Sequence, residues 1–306
     1  MKTKNLPASV MARLVRAAKE NSEEAQSVLM RYGVERFLYR LSQSRHKDRF
    51  VLKGAALLSL WFDQPHRPTK DVDVLGFGEN NISTLEKIIR EICLIESDDG
   101  LAFDAESVHG EQIREAQVYQ GIRLRLIAML ATARIPVQVD VGFGDAVTPA
   151  AKSTTLPTIL DLPAASMKVY PKETVVAEKF EVMVKFGLAN SRMKDFWDLD
   201  YMVREFDFDG SLLQKAIRAT FANRQTDLPT VLPVSLTIDF TKDKRILSLW
   251  SGFIRRNRID TSKELAVVVE NLSEFFSPLI AAEASGNTFS GKWHDGDRWN
   301  YKSKNK

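Results

Sequence analysis

The first 45 residues carry apolar side chains at helical spacing. Two groups repeat every three or four residues, as in a helix that buries one face. The groups are Val10, Leu14 and Val15, followed by Val28, Leu29, Phe37, Leu38 and Leu41. Ser22 with Glu23 and Glu24 after it is a helix-start signal between them. The pattern predicts two opening helices within residues 7–45.

From Phe50 the apolar pattern changes to that of a mixed α and β region. FVLKG predicts a short strand, GAALLSLWF a helix and DVDVLGF, after the loop PHRPTK, a second strand. A helix is expected near residues 82–96. The segments 101–108, 121–131 and 134–142 are rich in alternating or β-branched apolar residues and predict adjacent strands.

Helical patterns dominate the rest of the chain. PKETVVAEKFEVMVKFGLAN predicts a helix with Pro171 in its first turn, and SRMKDFWDLDYMV predicts another that starts at Ser191. The last stretch, ASGNTFSGKWHDGDRWNYKSKNK, is poor in aliphatic residues and predicts a loose tail. Alternatively, its Trp293, Trp299 and Tyr301, interleaved with basic residues, stack on single-stranded nucleic acid.

These elements predict the α+β fold class, with a small mixed β-sheet core flanked by helices and a mostly helical C-terminal lobe. We expect residues 1–165 to hold the opening helices and the sheet, 166–283 to form the helical lobe, and 284–306 to be a flexible tail. The 306 residues exceed the usual domain length of about 100–200, which favours two lobes.

Composition and charge narrow the class of protein. The start of the chain lacks the apolar stretch of a signal peptide, and no segment reads as about 18 uncharged apolar residues, so we expect a cytoplasmic protein without a membrane span. One cysteine, Cys93, and four histidines exclude a cysteine-rich zinc site or a disulfide framework. Residues 210–306 carry 15 basic and 10 acidic groups, a modest excess that favours phosphate-rich partners.

Two strands carry acidic residues at alternating positions. Because side chains alternate along a strand, Asp71 and Asp73 share one face of DVDVLGF, and Asp140 lies on the polar face of IPVQVDVGFG. A single D-x-D pair is common on exposed strands. If the two strands are neighbours, however, Asp140 completes a three-carboxylate site for Mg²⁺ or Mn²⁺, as in-line displacement at phosphorus requires. Asp140 is then also placed to take a proton.

Two charged residues occupy apolar arcs of the later helices. Lys179 shares an arc with Val175, Met183 and Phe186, although burial of an unpaired ammonium group is costly. A lysine that extends along the edge of the core is the alternative. Asp195 lies on the apolar arc of the next helix and is expected to pair with Lys179 or to stabilise the helix start, with Arg192 and Lys194 nearby.

Five segments in this order resemble the AbiEii-type nucleotidyltransferase toxins, a branch of the DNA polymerase beta-like superfamily. They are LKGAALLSLWF, RPTKDVDV, VQVDVGFGD, TVVAEKFEVMV and SRMKDFWDLDYM, and they span roughly residues 50–205. The resemblance implies a minimal nucleotidyltransferase sheet, a helical lobe that completes the active site, and an Mg²⁺-bound NTP as donor. It also implies the 3′ end of tRNA as acceptor and a cognate antitoxin as partner.

The resemblance also implies roles for individual residues. Gly54 opens the nucleotide-binding turn, Asp71 and Asp73 bind metal, Lys179 grips the triphosphate and Asp195 supports it. Arg67, before the metal pair, is expected to contact the substrate nucleotide. Apart from the resemblance, Arg192 beside Asp195 is a candidate contact to nucleotide phosphates or RNA, with an exposed surface residue as the alternative. The family usually has a second Gly, or Ser, where this chain has Ala55, which makes close backbone approach to a phosphate harder.

Other classes of function fit parts of the same pattern. A nucleotidyltransferase with a protein or small-molecule acceptor needs the same carboxylates. A catalytically idle module that binds nucleic acid or a partner through its basic C-terminal third needs none of them. A metal-dependent nuclease uses the carboxylates to shorten RNA and requires no NTP.

Overall fold

The computed structural model describes residues 5–54, 56–61, 71–115, 119–259, 263–294 and 298–300. Its contacts divide the chain into two compact units. The first holds Met1–Asp145 and Ala151–Tyr170, and the second holds Ala146–Ala150 and Pro171–Lys306. The chain passes between the units at 145/146, 150/151 and 170/171, and the last of these three points lies five residues after the expected boundary at 165/166.

The first unit contains four helices and a seven-stranded sheet among its described residues. The helices are α1 (Leu6–Glu20), α2 (Ala25–Gln43), α3 (Ala56–Trp61) and α4 (Ile82–Cys93). The strands are β1 (Phe50–Lys53), β2 (Asp71–Gly76), β3 (Leu101–Glu115), β4 (Tyr119–Leu130), β5 (Ala133–Phe143), β6 (Lys152–Thr155) and β7 (Ser166–Val169). The two short strands β6 and β7 were not predicted, because KSTT and SMKV lack the run of apolar residues that marks FVLK of β1.

The strands are ordered β3-β4-β5-β2-β1-β7-β6, and the sheet is mixed. β2 lies parallel to β5 and antiparallel to β1, while β4 is antiparallel to both of its neighbours. One face is apolar, and its central side chains Val72, Val74, Val139 and Val141 are buried. α2 packs against this face where Gly33 leaves room, since a Cβ atom there would lie 2.8 Å from Ile135 Cγ2.

A group of charged side chains joins α2 to the segment between α4 and β3. Asp99 accepts hydrogen bonds from Arg40 Nη1 at 2.6 Å, Arg40 Nη2 at 3.0 Å and Arg36 Nε at 3.1 Å. All three side chains are buried, and we call them the core ion cluster. Two guanidinium groups on one carboxylate give the buried charge its partners and tie α2 to the sheet.

The second unit is mostly helical, as predicted. Its helices are α5 (Lys172–Phe186), α6 (Met193–Glu205), α7 (Gly210–Asn223), α8 (Lys244–Arg256) and α9 (Leu265–Ala284), and a small ladder joins β8 (Phe208–Asp209) to β9 (Lys292–Trp293). Phe180 of α5 stacks on Phe276 of α9 with ring centroids 4.1 Å apart. With this sheet and these helices, the α+β fold class and the helical C-terminal lobe are confirmed.

α9 is the one helix in the described ranges that is long and apolar enough to cross a membrane by length and composition. Glu270 and Glu274 interrupt its apolar sequence, so it is not an uncharged apolar segment of the kind expected for a membrane span. Eight of its residues, among them Phe275 and Phe276, are buried. This burial is typical of a core helix that passes the same test.

The expectation of a loose tail is wrong for residues 285–294 and 298–300. Trp293 donates its indole N–H to the Val203 carbonyl at 2.7 Å, and Trp299 donates to the Phe275 carbonyl at 2.8 Å. Both indoles are buried, so they are not placed to stack on nucleic acid. Large aromatic side chains bury enough area to order a segment that is poor in aliphatic residues. Tyr301 lies outside the described residues.

Candidate active site

Two neighbouring strands in the middle of the sheet, β2 and β5, bring three carboxylates together on its polar face. β2 and β5 pair in parallel with Asp73 directly opposite Asp140 and Asp71 opposite Gln138. Directly opposed residues project to the same face of a sheet. One oxygen from each of Asp71, Asp73 and Asp140 lies within 4.8 Å of the other two, and all three residues are half-buried. We call these three residues the carboxylate cluster.

The cluster fits a divalent cation by the chemistry of its donors. Like charges this close raise each other's energy unless cations balance them. Carboxylate oxygens are the donors that Mg²⁺ prefers in proteins, where it usually keeps further positions for waters and substrate phosphates. Asp71, Asp73 and Asp140 are therefore the residues of this unit that would hold such an ion.

Arg123 of β4 lies opposite Asp140 on the side of β5 away from β2. Its Nε atom donates to Asp140 Oδ1 at 2.9 Å and its Nη2 atom to Oδ2 at 2.7 Å. Gln138 Nε2 also donates to Oδ2, at 3.3 Å. The hydrogen bonds and the charge of Asp140 raise the pKa of Arg123 above its usual value, against the opposing effect of partial burial.

Lys53 lies opposite Asp73 in the antiparallel β1–β2 pair, on the side of β2 away from β5. Its Nζ atom forms an ion pair with Asp145 Oδ2 at 2.6 Å, and the Tyr170 hydroxyl donates to the same oxygen at 3.4 Å. The row of opposed residues therefore runs Arg123, Asp140, Asp73, Lys53, with a cation at each end. Sequence reasoning missed both cations, because the order of the strands cannot be read from alternation.

Gly54 follows β1 directly and lies against Asp73. Its backbone has a φ of +72°, a left-handed conformation that glycine adopts without strain. A Cβ atom at this position would lie 2.0 Å from Asp73 Oδ2 and 2.7 Å from Asp73 Cβ. Gly54 thus leaves the space that the Asp73 carboxylate occupies. Ala55 and Arg67, the other two residues predicted to contact the nucleotide on this side, lie outside the described residues.

The remaining predicted site residues form an ion cluster in the second unit. Lys179 Nζ donates to Asp195 Oδ1 at 2.5 Å and to Asp198 Oδ2 at 2.9 Å. Arg192 Nε donates to Asp195 Oδ2 at 2.8 Å. The expected pairing of Lys179 with Asp195 is thus present, and it explains how an ammonium group is accommodated on an apolar arc. α6 begins at Met193, two residues after the predicted start.

Opposing effects act on the carboxyl group of Asp195. Burial alone would raise its pKa. The nearby positive charges of Lys179 and Arg192 lower the pKa by more than burial raises it, so the pKa lies below its usual value. Asp195 is therefore the charged partner of Lys179. Asp198, the second partner, was given no role in the sequence analysis, because its approach to Lys179 depends on how α5 and α6 pack.

A match to a known protein family shows which family this chain belongs to. Residues 36–275 match the sequence profile of the nucleotidyl transferase AbiEii toxin of type IV toxin–antitoxin systems, which is more than half of the chain. The chain belongs to the AbiEii nucleotidyltransferase family. The resemblance identified from five motifs is confirmed, and the match extends past residues 50–205 at both ends. Membership of the AbiEii family implies an NTP substrate, a divalent metal and an antitoxin partner.

Two solved structures from Helicobacter pylori align with most of this chain. The JHP933 protein aligns over 84% of this chain and 91% of its own, with 14% identity and a TM-score of 0.46. A chain described as a candidate nucleotidyltransferase aligns over 85% of this chain and 95% of its own, with the same identity and TM-score. No curated protein is significantly similar to this sequence.

Proposed function

We propose that this AbiEii-family chain transfers a nucleoside monophosphate from an NTP to the 3′ end of tRNA and so inhibits translation. A nucleotide added to the acceptor end blocks aminoacylation. The observation that carries the proposal is the register of β2 and β5, which sets Asp140 directly opposite Asp73 and within reach of Asp71. This is the donor set that nucleotidyl transfer needs, and it lies on residues that the family profile covers.

The chemistry assigned to the first unit is an in-line displacement at the α-phosphorus of the NTP. A terminal ribose hydroxyl of the RNA forms the new P–O bond, the bond between the α-phosphorus and the bridging oxygen breaks, and pyrophosphate leaves. Asp140 accepts the hydroxyl proton. Asp71, Asp73 and Asp140 would hold Mg²⁺ or Mn²⁺, which when bound would supply Lewis-acid stabilisation of the charge that develops on the phosphate oxygens.

In the second unit, Lys179 is proposed to bind the triphosphate. Its two buried carboxylate partners hold the ammonium group in one position, and a preorganised cation stabilises charge without a reorganisation cost. Asp195 is proposed to position Lys179, and Arg192, which also contacts Asp195, to bind a phosphate of the nucleotide or RNA. Gly54 and Ala55 are proposed to approach the nucleotide through their backbone, and Arg67 through its side chain.

The proposed place of action is the cytoplasm, where tRNA and NTPs are found. A cognate antitoxin is expected to neutralise the chain in the producing cell. The adjacent reading frame provides an inexpensive check, since a small antitoxin gene next to this one is expected for a toxin and not for a housekeeping enzyme.

The direct test is incubation of the purified chain with each of the four labelled NTPs and total tRNA, with Mg²⁺ or Mn²⁺ and with EDTA. We expect label on tRNA that depends on the metal, and a loss of charging by aminoacyl-tRNA synthetases. Label on a protein or a small molecule would instead assign a different acceptor. Shortened RNA without any need for NTP would identify a nuclease, and salt-dependent RNA binding without turnover would identify a binding module.

A further inference from the structure

The contact between Arg123 and Asp140 distinguishes Asp140 from the other two members of the carboxylate cluster. Both oxygens of Asp140 accept from one guanidinium group, in the planar two-bond geometry that arginine makes with carboxylates. Gln138 adds a third bond, to Oδ2. Three donors on two neighbouring strands thus fix the side-chain rotamer of Asp140.

These bonds leave Asp140 with the capacity to accept another ligand. Each carboxylate oxygen offers about two lone-pair sites. Among the described contacts Oδ2 accepts two hydrogen bonds and Oδ1 accepts one. Arg123 therefore orients Asp140 and leaves acceptor capacity on Oδ1.

Arg123 also changes the charge balance of the carboxylate cluster. Asp71, Asp73 and Asp140 carry three formal negative charges. With Arg123 included, the net formal charge of the four residues is two negative charges. The ion pair is half-buried, with side-chain exposures of 26% for Arg123 and 15% for Asp140, so solvent screens it incompletely. The positive charge acts on the cluster before any cation binds.

We propose that Arg123 is a positioning residue, which holds Asp140 toward Asp71 and Asp73 and offsets the repulsion among the three carboxylates. The cluster is then formed in advance of cation binding. This assignment rests on the proposed function for its consequence in turnover. Its physical content, the arrangement and charge of the cluster, is independent of the acceptor.

The first measurement is the affinity of the metal-free protein for Mn²⁺ alone, by titration calorimetry or electron paramagnetic resonance. Arg123→Met removes the donors and the charge while keeping an unbranched chain. We expect its Kd for Mn²⁺ to fall about threefold or more, because a repelling cation beside the site is gone. Loss of the fixed Asp140 orientation acts in the opposite direction and weakens binding, but we expect the charge effect to be the larger one, because the strand pairing still keeps Asp140 beside Asp73. A higher or unchanged Kd for Mn²⁺ in the folded variant would overturn the proposal.

Turnover gives a second and opposite readout. We expect kcat of Arg123→Met to drop by about tenfold to a hundredfold, with KM for the NTP within about twofold, because Asp140 loses its fixed orientation. Arg123→Lys keeps the charge without the two-bond geometry, and is expected to retain Mn²⁺ affinity while kcat stays lowered. Wild-type kcat in either variant would overturn the positioning role.

The neighbouring Arg125 provides the matched control. It lies two residues along β4, opposite Gln138, and pairs with Glu111 at 2.7 Å rather than with the cluster. Arg125→Met is expected to leave both the Mn²⁺ affinity and kcat within about twofold of wild type, since screening and distance weaken its effect on the cluster. An effect as large as that of Arg123→Met would show a nonspecific loss of surface charge.

A double-mutant cycle separates action through Asp140 from direct action on a substrate. In an Asp140→Asn background, Arg123→Met is expected to change residual turnover no further, because the orientation that Arg123 provides acts through the Asp140 carboxylate, whereas its through-space charge effect on Mn²⁺ affinity should persist. Effects on turnover that multiply would show that Arg123 contacts substrate phosphate itself, and the positioning role would be wrong. If the wild-type protein transfers no nucleotide to any RNA, the proposed function fails while the Mn²⁺ measurements still decide the role of Arg123.

Discussion

Two groups of charged side chains in the first unit differ in their burial and in their balance of positive and negative charge. In the core ion cluster, Arg36 and Arg40 supply two positive groups to one carboxylate, and every member is almost fully buried. In the carboxylate cluster, three acids converge, each only half-buried, with Arg123 bound to one of them. The first group has two positive charges for one negative charge. The second group has three negative charges for one positive charge.

This difference separates a structural role from a chemical one. Two arginines around Asp99 satisfy a charge that the fold buries, so the arrangement is complete without a ligand. Three carboxylates within a few ångströms repel one another, and a fold that retains them does so for a cation. The comparison predicts that changes in the core ion cluster affect stability, and that changes in the carboxylate cluster affect activity.

The largest effect is expected from loss of one cluster acid. Asp73→Asn should lower nucleotide transfer by about a thousandfold or more, because a metal ligand contributes several kcal/mol to the transition state. Its free energy of unfolding without metal should be unchanged or higher, since one repelling charge is gone. Transfer assays and thermal denaturation check both points. Glu106→Gln, at an exposed residue of β3, is the control. A variant that unfolds more easily would argue for a structural cluster.

The reverse outcome is expected in the core ion cluster. Asp99→Asn leaves two buried guanidinium groups without their carboxylate, so the free energy of unfolding should fall by about 3–5 kcal/mol. Activity per folded molecule should remain near wild type. Denaturant titration checks the loss of stability, and the exposed neighbour Asp98 offers the control Asp98→Asn, which should cost little. Equal losses from both substitutions would contradict the assignment.

Glu35 provides a pH test beside the same cluster. Burial raises its pKa to about 7, although hydrogen bonds from Ile159 N and Arg36 oppose this effect. The folded protein therefore holds the proton more tightly than the unfolded chain. The free energy of unfolding should fall by about 3 kcal/mol as the pH rises from about 4.5 to 7, and remain lower above pH 7.

Glu35→Gln removes this titration. The variant should gain stability relative to wild type at pH 8 and should show little difference at pH 4.5. Denaturant titrations at several pH values measure the difference, with the exposed Glu96→Gln as a comparison. A pH dependence that is the same in Glu35→Gln as in wild type would assign it to other groups.

The smallest of the expected effects concerns the backbone next to the carboxylate cluster. Gly54→Ala adds a methyl group in the space of the Asp73 carboxylate, so nucleotide transfer should fall by up to about a hundredfold as the ligand is displaced. Gly286→Ala is the control, because its φ of +66° carries similar strain but no atom lies within 4 Å of the added carbon. If both variants retain activity, the close approach of Gly54 to Asp73 is not required.

Much of the site was predictable because its signals are local. The alternation in DVDVLGF and VQVDVGFG fixes which side chains share a face, and the structure has both strands where the sequence predicted them. The apolar arc around Lys179 likewise indicated a buried partner before the pair with Asp195 was seen. The packed segment after α9 was misjudged, because its aromatic residues find their partners far away in the chain.

The sequence by itself determined the helices as far as α6, the main strands, the family and the residues with chemistry to offer, since these follow from local periodicity and short motifs. Only the tertiary structure decided that Asp140 stands opposite Asp73, that Arg123 binds Asp140 with two bonds, and that Asp198 joins Lys179. These contacts depend on strand order, register and helix packing. A shift of one residue in register would turn Asp140 to the other face of the sheet without any change in composition.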